Sequence, residues 1–324
     1  MRKLKRRIKS ERRVLKRRKI ESQKQPVTLI FDATALSYSV FYGVGTTLSY
    51  NGQSTAVIYG FLKKVLQLAR QFKTNDLIFA WDAGYSWREI NYPQYKQSRK
   101  QKKEEASPEE KEMMNDLLYQ QIALHSSVLP KIGLKNTFCF EKYEGDDIIG
   151  KIVKDHFKER KFIIVSSDSD MYQLLHLADI YLLSKKRLFT HKDFQLSHRI
   201  HADQFALAKA IGGCSTDNIV GVKGVGDPKS PTSKALKYIR GEITSGKIYH
   251  RIKAEENKCI QKNLQLTVIP YMGDMMPEIK IRKNRVTRRK LIRVFDKYRF
   301  ISFLEDEMFD KWEKVFCHEN KKRI

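Results

Sequence analysis

The sequence has few cysteines and no long hydrophobic run. Its four cysteines, among 324 residues, stand far apart, so neither a disulfide framework nor a zinc site of paired cysteines is expected. No apolar segment approaches the roughly 20 residues needed to cross a bilayer, and none near the start resembles a secretory h-region. We therefore expect a folded protein of a reducing, cytoplasmic setting that does not insert into a membrane.

Acidic residues are also in short supply. There are 37 Asp and Glu against 63 Lys and Arg, which gives a formal net charge of +26. Such an excess favours a polyanionic partner, most simply nucleic acid, with an anionic membrane surface as the other candidate. Residues 1–25 carry 13 of these basic residues and form either an arm that orders on a polyanion or a solvated tail.

Several of the acids that are present fall into two neighbouring groups. Within 27 residues the sequence places Glu144, Asp146, Asp147, Asp168 and Asp170. The bulky, β-branched run at 162–165 between them is typical of a strand buried on both faces. One group therefore opens a helix and the other follows a strand, at the edge where sites gather in open α/β sheets. Dense like charge is unfavourable unless cations neutralise it, so the pattern predicts a divalent-metal site.

Two further predicted strands end on an acid. The strand at 26–31 leads into Asp32, and the run at 76–81 leads into Asp82. A helix with apolar positions at the helical period separates them, at about 54–72. Further strands are expected at 137–140, 178–183 and 187–190, and helices at about 107–129 and 201–212. We expect a mostly parallel α/β sheet flanked by helices, with both acids at the same edge.

Two segments carry the features of nucleic-acid contacts. Residues 87–103 interleave aromatic with basic side chains, which suits single-stranded nucleic acid. Residues 214–226 contain spaced glycines whose backbone can approach phosphates closely, and a helix is expected to begin near Ser233. This second segment is interpreted as a hairpin between helices that grips a duplex backbone without reading sequence. From about residue 254 the chain is expected to be helical, apart from a strand at 264–269.

Taken in order, these motifs resemble the bacteriophage and bacterial 5′ nucleases, which include flap endonucleases and the 5′-3′ exonuclease domains of DNA polymerases. Asp32 and Asp82 match the first two acids of that family, 144–147 its Glu-Ala-Asp-Asp element, and 168–170 its Asp-x-Asp. Residues 95–99 match the Tyr-Lys-x-x-Arg of the helical arch. The segment from Asp217 matches the helix–three-turn–helix, which the resemblance implies binds duplex DNA and K⁺, here at 218–226.

The resemblance implies two Mg²⁺ ions, for which Mn²⁺ can substitute, and roles for particular residues. The first ion is expected on Asp32, Asp82, Glu144, Asp146 and Asp168, and the second on Asp147, Asp170 and Asp217. Lys96 and Arg99 are expected to reach the scissile phosphate, with Tyr95 stacking on an unpaired base. Duplex contacts are expected from Gly221, Lys223, Gly224, Gly226, Lys229 and Lys234. One departure stands out: relatives have a second Asp three residues before Asp217, and this chain has Cys214, a poor ligand for Mg²⁺.

The resemblance further implies a PIN-like nuclease core at 26–200, including an arch at 84–107. A DNA-binding subdomain at 201–262 and a basic C-terminal region at 263–324, packed on the core, complete the expected organisation. The expected function is a monomeric, metal-dependent 5′ nuclease that cuts flaps, forks and nicked or gapped duplex DNA during replication, with RNA–DNA primers as a further substrate. Two alternatives stay open: a structure-specific DNA-binding protein with weakened catalysis, suggested by Cys214, and a PIN-type ribonuclease.

Overall fold

The computed structural model describes residues 27–44, 48–226 and 230–317. The basic arm at 1–25 and Lys229 lie outside these residues, so the predictions made for them stay predictions. None of the helices within the described ranges combines the length and apolar character needed to cross a membrane.

Eight strands are present in the described ranges. In chain order they are β1 (Val27–Asp32), β2 (Ser49–Tyr50), β3 (Gln53–Ser54), β4 (Leu77–Ala80), β5 (Thr137–Phe138), β6 (Lys161–Ser166), β7 (Asp179–Leu182) and β8 (Arg187–Phe189). β2 and β3 form a small separate hairpin, and the other six form one sheet in the order β5–β4–β1–β6–β7–β8. Every pair in that sheet is parallel except the edge pair β7–β8. The predicted mostly parallel sheet is therefore confirmed.

Helices cover both faces of the sheet. In chain order they are α1 (Ala33–Val44), α2 (Ala56–Gln71), α3 (Trp87–Asn91), α4 (Gln97–Glu104), α5 (Pro108–Ala123), α6 (Leu129–Ile132), α7 (Gly145–His156), α8 (His191–His198), α9 (Phe205–Gly212), α10 (Ser233–Ile239), α11 (Gly246–Glu255), α12 (Gln261–Thr267), α13 (Arg288–Lys297), α14 (Ile301–Leu304) and α15 (Asp306–Phe316). A π-helical turn, Leu124–Val128, joins α5 to α6, so the predicted long helix continues through it. A capping box formed by Ser107 and Glu110 starts α5.

The alternation of side chains along β1 gives each face of the sheet its own core. Phe31 points to one face and stacks on Phe79 of β4, with ring centroids 5.0 Å apart. The fully buried Trp312 of α15 belongs to this same core, so the C-terminal helices pack against the sheet. Ile30 points to the other face, where it packs in a core shared with α7 and α9. Burial on both faces fixes the register of β1 and hence the position of Asp32 at its end.

One predicted element is wrong, and another is shorter than expected. Residues 264–269 were expected to form a strand, but the chain is helical over Gln261–Thr267. A short apolar run does not distinguish a strand from a buried helix, and here Asn263 and Thr267 bind the carbonyl groups of Ala210 and Ala206 in α9. The strand expected at 137–140 pairs over Thr137–Phe138 alone.

Candidate active site

The predicted acids at the strand ends do meet at the carboxyl edge of the sheet. Asp32 is the last residue of β1, and its carboxylate accepts hydrogen bonds from the Ala35 amide at 3.0 Å and the Ser166 hydroxyl at 2.8 Å. Asp82 lies just past β4 and accepts a hydrogen bond of 2.6 Å from the Gly145 amide, at the start of α7. Three neighbouring strands and one helix N-terminus thus deliver carboxylates to one place.

Burial raises the pKa of three carboxylates in this cluster. Burial, with repulsion from Asp82, raises the pKa of Asp32 to about 7. Burial also raises the pKa of Asp82, and burial together with Asp147 raises that of Asp146 well above its usual range. The Oδ1 atom of Asp146 is buried and, among the described residues, has no hydrogen-bond partner. Oxygen donors of this kind suit a hard divalent cation. Among the described residues, the group of three or more acids whose oxygens lie close enough together for an ion is Glu144, Asp146 and Asp147, so the first metal site expected on Asp32, Asp82, Glu144, Asp146 and Asp168 stays a prediction.

Glu144 lies at the N-terminus of α7 and is surrounded by donors. Its Oε1 accepts hydrogen bonds from Lys96 at 2.6 Å and Ser86 at 3.3 Å, and its Oε2 from Arg88 at 3.2 Å and Tyr95 at 3.3 Å. Burial works to raise its pKa, but Lys96 and Arg88 outweigh that effect and hold the pKa below its usual range. Glu144 is therefore an ionised carboxylate that is bonded to Lys96 and Tyr95 of the predicted arch, and its role as a ligand of the first metal ion stays a prediction.

Asp147, a predicted metal ligand, belongs to the group of acids that lies close enough together to hold an ion, but its carboxylate is also paired with Arg88. Glu144, Asp146 and Asp147 do lie within 4.8 Å of one another. Both oxygens of Asp147, however, accept from the Arg88 guanidinium, at 2.7 and 2.8 Å, and each also accepts from a backbone amide, those of Glu144 and Tyr271. These four hydrogen bonds use the four acceptor sites of the carboxylate, as four donors also do for Glu144, and the role of Asp147 as a metal ligand stays a prediction.

Arg88 is a residue of this site that the sequence did not reveal. Its side chain is almost fully buried and also donates to the carbonyl groups of Leu266 and Val268. In sequence it stands among the basic and aromatic residues that suggested an exposed nucleic-acid surface. Nothing in that pattern distinguishes the one arginine that turns inward.

Tyr95 is also placed differently from the prediction. Its ring is buried, at 6% exposure, and packs with Ile219 and Leu266. Burial, with the charge of Glu144, raises the pKa of its hydroxyl group. An enclosed ring cannot stack on an unpaired base, so the predicted stacking role is wrong for this arrangement. Its hydroxyl group instead helps to orient Glu144.

The second acidic group, at the end of β6, contacts a lysine that was not predicted as part of the site. The Asp168 carboxylate accepts a hydrogen bond of 2.8 Å from the Asp170 amide, and the Asp170 carboxylate forms an ion pair with Lys209 of α9. Burial, together with Asp168, raises the pKa of Asp170 to about 6 despite the opposing effect of Lys209. Lys209 stands in a buried helix, where the sequence offered no sign that it reaches the acids.

The turn that contains Asp217 docks against the predicted arch. The Asp217 carboxylate accepts hydrogen bonds from Arg99 at 2.8 Å and from the thiol group of Cys214 at 3.0 Å. The Asn218 side chain also bonds the backbone and hydroxyl group of Ser98 at the start of α4. Cys214 and Ile219 exchange two backbone hydrogen bonds and close the turn. The side chain of Arg99 is thereby bonded to a carboxylate of the protein, and its expected contact with the scissile phosphate stays a prediction.

A cavity of about 570 Å³ opens beside these groups. Asp82, Glu144, Lys96 and Arg99 line it. The opposite wall carries exposed apolar side chains of α5, such as Leu118. A chain with alternating phosphates and bases could meet charged and apolar surfaces here at the same time.

The glycines of the segment 214–226 have a packing role that is visible in the structure. A Cβ atom added at Gly221 would lie 2.3 Å from the carbonyl carbon of Gly212, and one at Gly226 would lie 2.4 Å from the Gly212 oxygen. Gly224 adopts a φ of +81°, and its carbonyl group accepts a hydrogen bond of 2.9 Å from Lys234. Lys223 is exposed beside it. Contact of these residues with DNA stays a prediction.

Comparison with known proteins agrees with this arrangement of fold and site. The family model described as "5'-3' exonuclease, N-terminal resolvase-like domain" matches residues 27–199, more than half of the chain. The class of the protein is thus a nuclease, an enzyme that hydrolyses phosphodiester bonds. More particularly, the chain belongs to the 5′-3′ exonuclease family, and the predictions of family and enzyme class are confirmed.

Two curated relatives illustrate the similarity. The 5'-3' exonuclease of Buchnera aphidicola subsp. Acyrthosiphon pisum is 29% identical over 230 residues, which cover 69% of this chain and 74% of that protein. DNA polymerase I of Caldicellulosiruptor bescii is 29% identical over 209 residues, which cover 61% of this chain and 23% of the polymerase. The chain thus spans less than a quarter of the polymerase.

Solved structures share the fold. The bacteriophage T5 D15 protein, co-crystallised with metal ions, has a TM-score of 0.64 and 21% identity, and the match covers 89% of this chain and 99% of that chain. Flap endonuclease-1 from Methanococcus jannaschii has a TM-score of 0.55 and 14% identity, and covers 92% of this chain. These likenesses confirm the predicted fold class.

Proposed function

We propose that the chain is a divalent-metal-dependent 5′ nuclease that hydrolyses phosphodiester bonds at 5′ ends and flaps of DNA. The observation that carries this proposal is that Asp82 and Glu144 line one cavity together with Lys96 and Arg99, while the pKa of each of Asp32, Asp82 and Asp146 is raised. Such a cluster can bind a cation, and the basic side chains beside it can bind a phosphate group. Membership of the 5′-3′ exonuclease family supports the reaction.

A divalent ion at this place would be held by Asp32, Asp82, Asp146 and Asp168. Bound there, it would supply a water molecule of lowered pKa and neutralise charge at the phosphate. The choice of Mg²⁺, with Mn²⁺ as a substitute, follows from the all-oxygen donor set.

Lys96 and Arg99 are proposed to contact the substrate. Lys96 lies at the cavity wall with its ammonium group 2.6 Å from Glu144, and Arg99 is half-exposed at its bond to Asp217. Either side chain could release its carboxylate partner and bind a phosphate oxygen instead, while the backbone stays in place. A cation fixed beside the scissile phosphate stabilises the charge that develops in the transition state.

Duplex DNA is proposed to bind at the segment 214–226 and the start of α10. Lys223 and Lys234 stand there, and Lys229 follows in sequence. K⁺ is proposed at 218–226, as the resemblance of this hairpin to that of the 5′ nucleases implies. The T5 flap endonuclease, whose fold is similar, is described in complex with DNA and metal ions.

A role in replication, with removal of RNA primers, is part of the same proposal.

A 5′-labelled flap oligonucleotide tests the proposal. The wild-type protein should release the labelled product with Mg²⁺ or Mn²⁺ and not after treatment with EDTA. Asp146→Asn and Asp168→Asn should each slow the single-turnover rate by about 10²-fold or more, as loss of a major electrostatic contact does. Asp155→Asn is the matched control, because Asp155 lies on the same helix α7 and pairs with Lys151 at the surface. If the Asp168→Asn protein and the Asp170→Asn protein both cleaved the flap at the wild-type rate, that result would contradict the site assignment.

The same assay separates the two alternatives. A DNA-binding protein without catalysis would shift the flap in a gel but leave it intact with either metal. A PIN-type ribonuclease would cut an all-RNA strand of the same sequence faster than the DNA flap. Preference for the DNA flap is the result expected here.

A further inference from the structure

The side chains expected to hold a second metal ion are each engaged by another group of the chain. Asp170 forms an ion pair with Lys209, and Asp217 accepts from both Arg99 and Cys214. Asp147, the third expected ligand, is saturated by Arg88 and two backbone amides. Three protein cations and a thiol group thus occupy the carboxylates that a second metal ion would need.

This donor set does not fit Mg²⁺. Magnesium demands near-octahedral oxygen ligands at 2.0–2.1 Å and binds a thiol poorly. Here the position three residues before Asp217 carries a sulfur atom, and that sulfur donates its proton to the Asp217 carboxylate. A divalent ion would have to separate the ammonium group of Lys209 from Asp170 and the guanidinium group of Arg99 from Asp217.

Lys209 is built into the fold at this position. It lies on α9, whose other residues are mainly apolar and buried, and its side chain is only 10% exposed. Lysines are rarely buried to this extent unless they are paired, and removing one partner of a buried pair is strongly unfavourable. The charge of Lys209 is therefore held next to Asp170 by the packing of the helix itself.

Resting on the proposed function, we propose that the chain binds a single divalent ion and that the ammonium group of Lys209 takes the place of the second. The lysine is then a positioning residue, which fixes Asp170 and supplies a permanent positive charge. Cys214 belongs to the same arrangement, because its thiol group fills the ligand position and holds Asp217 towards Arg99.

The number of bound Mn²⁺ ions tests this inference, measured by electron paramagnetic resonance of free Mn²⁺ during titration of the full chain. The wild-type protein should bind about one ion. Lys209→Met/Cys214→Asp removes the ammonium group and restores an oxygen ligand, and should bind about two. The Cys214→Asp protein, which keeps Lys209, should still bind about one Mn²⁺ ion. Lys154→Met is the control for loss of a partly buried lysine, since Lys154 of α7 bonds the backbone carbonyl of Ile269 rather than a carboxylate, and it should also bind about one.

Two results would overturn the inference: two Mn²⁺ ions on the wild-type protein, or a single ion on the double variant when its circular dichroism shows it to be folded. If the double variant does not fold, Lys209→Met alone is titrated. We expect it to bind a second Mn²⁺ ion more weakly, and the absence of that second ion would contradict the inference. Flap cleavage is measured on the same samples. Two ions with cleavage would overturn this inference and leave the proposed function standing, whereas no bound ion and no cleavage would overturn both.

Discussion

The guanidinium group of Arg88 binds both carboxylate oxygens of Asp147, at 2.7 and 2.8 Å, in the interior beneath the acidic cluster. The same group donates to Glu144 at 3.2 Å and lies 3.8 Å from Asp146. One buried cation thus joins three acids of α7 to the helix α3 that leads into the predicted arch. We infer that Arg88 determines which acids stay free for a metal ion.

The first prediction concerns the stability that this pair provides. Arg88→Met would leave the buried carboxylate of Asp147 without its cation, and we expect the free energy of unfolding to fall by about 3–5 kcal/mol. The measurement is urea unfolding in EDTA. Arg299→Met is the control, because Arg299 pairs with Asp296 at an exposed site, where loss of an ion pair costs about 1 kcal/mol or less. Equal losses for the two variants would refute the structural role of Arg88.

Much of this site could be predicted from the sequence because hydrophobic runs position its acids. The apolar runs before Asp32 and Asp82 are short, bulky and uninterrupted, so strands ending at those acids were expected and found. Parallel strands then bring their ends to one edge. The start of α7 at the acidic group follows from the same logic.

The choice of partners within the site could not be predicted, because it depends on contacts between distant parts of the chain. Arg88 and Asp147 are 59 residues apart, and Lys209 and Asp170 are 39 apart. Sequence identifies each as a charged residue but does not tell which oppositely charged group it will meet. The misplaced strand at 264–269 has a related cause, since Asn263 and Thr267 are held in a helix by carbonyl groups of α9.

A second prediction separates substrate binding from catalysis. Lys96→Ala should slow single-turnover cleavage of the flap by about 10²-fold, because it removes a cation beside the reacting phosphate. Lys223→Ala should chiefly weaken duplex binding and reduce by about one the slope of log affinity against log salt. Binding is measured by fluorescence anisotropy with Ca²⁺ in place of Mg²⁺. Equal effects of the two changes on the single-turnover rate would be inconsistent with this division.

A third prediction follows from the buried position of Tyr95. Tyr95→Phe removes the hydrogen bond to Glu144 and should lower the free energy of unfolding by about 1 kcal/mol. It should leave the affinity for single-stranded DNA unchanged. Tyr85, which is 49% exposed at the same cavity, is the better candidate for stacking, and Tyr85→Leu should weaken that affinity by about fivefold or more. A Tyr95→Leu protein that stays folded but loses tenfold in affinity would restore the original stacking hypothesis.

The last prediction concerns pH and a group of three histidines outside the acidic cluster. The ring centroids of His176 and His191 lie 5.5 and 5.4 Å, respectively, from the ring centroid of His201. Burial, reinforced by the neighbouring imidazoles, lowers the pKa of His176 and of His191, although Asp203 beside His201 opposes this.

A lowered pKa means that the folded chain binds these protons less readily than the unfolded chain, where histidine titrates near 6.5. Stability is then complete above that pH and is lost as the pH falls below it. We expect the melting temperature in EDTA to fall between pH 7.5 and 5.5, and to fall less in His176→Gln/His191→Gln. The exposed His250 provides the control variant, His250→Gln, which should follow the wild-type curve. Identical slopes for the double variant and the wild-type protein would show that these histidines do not drive the acid sensitivity.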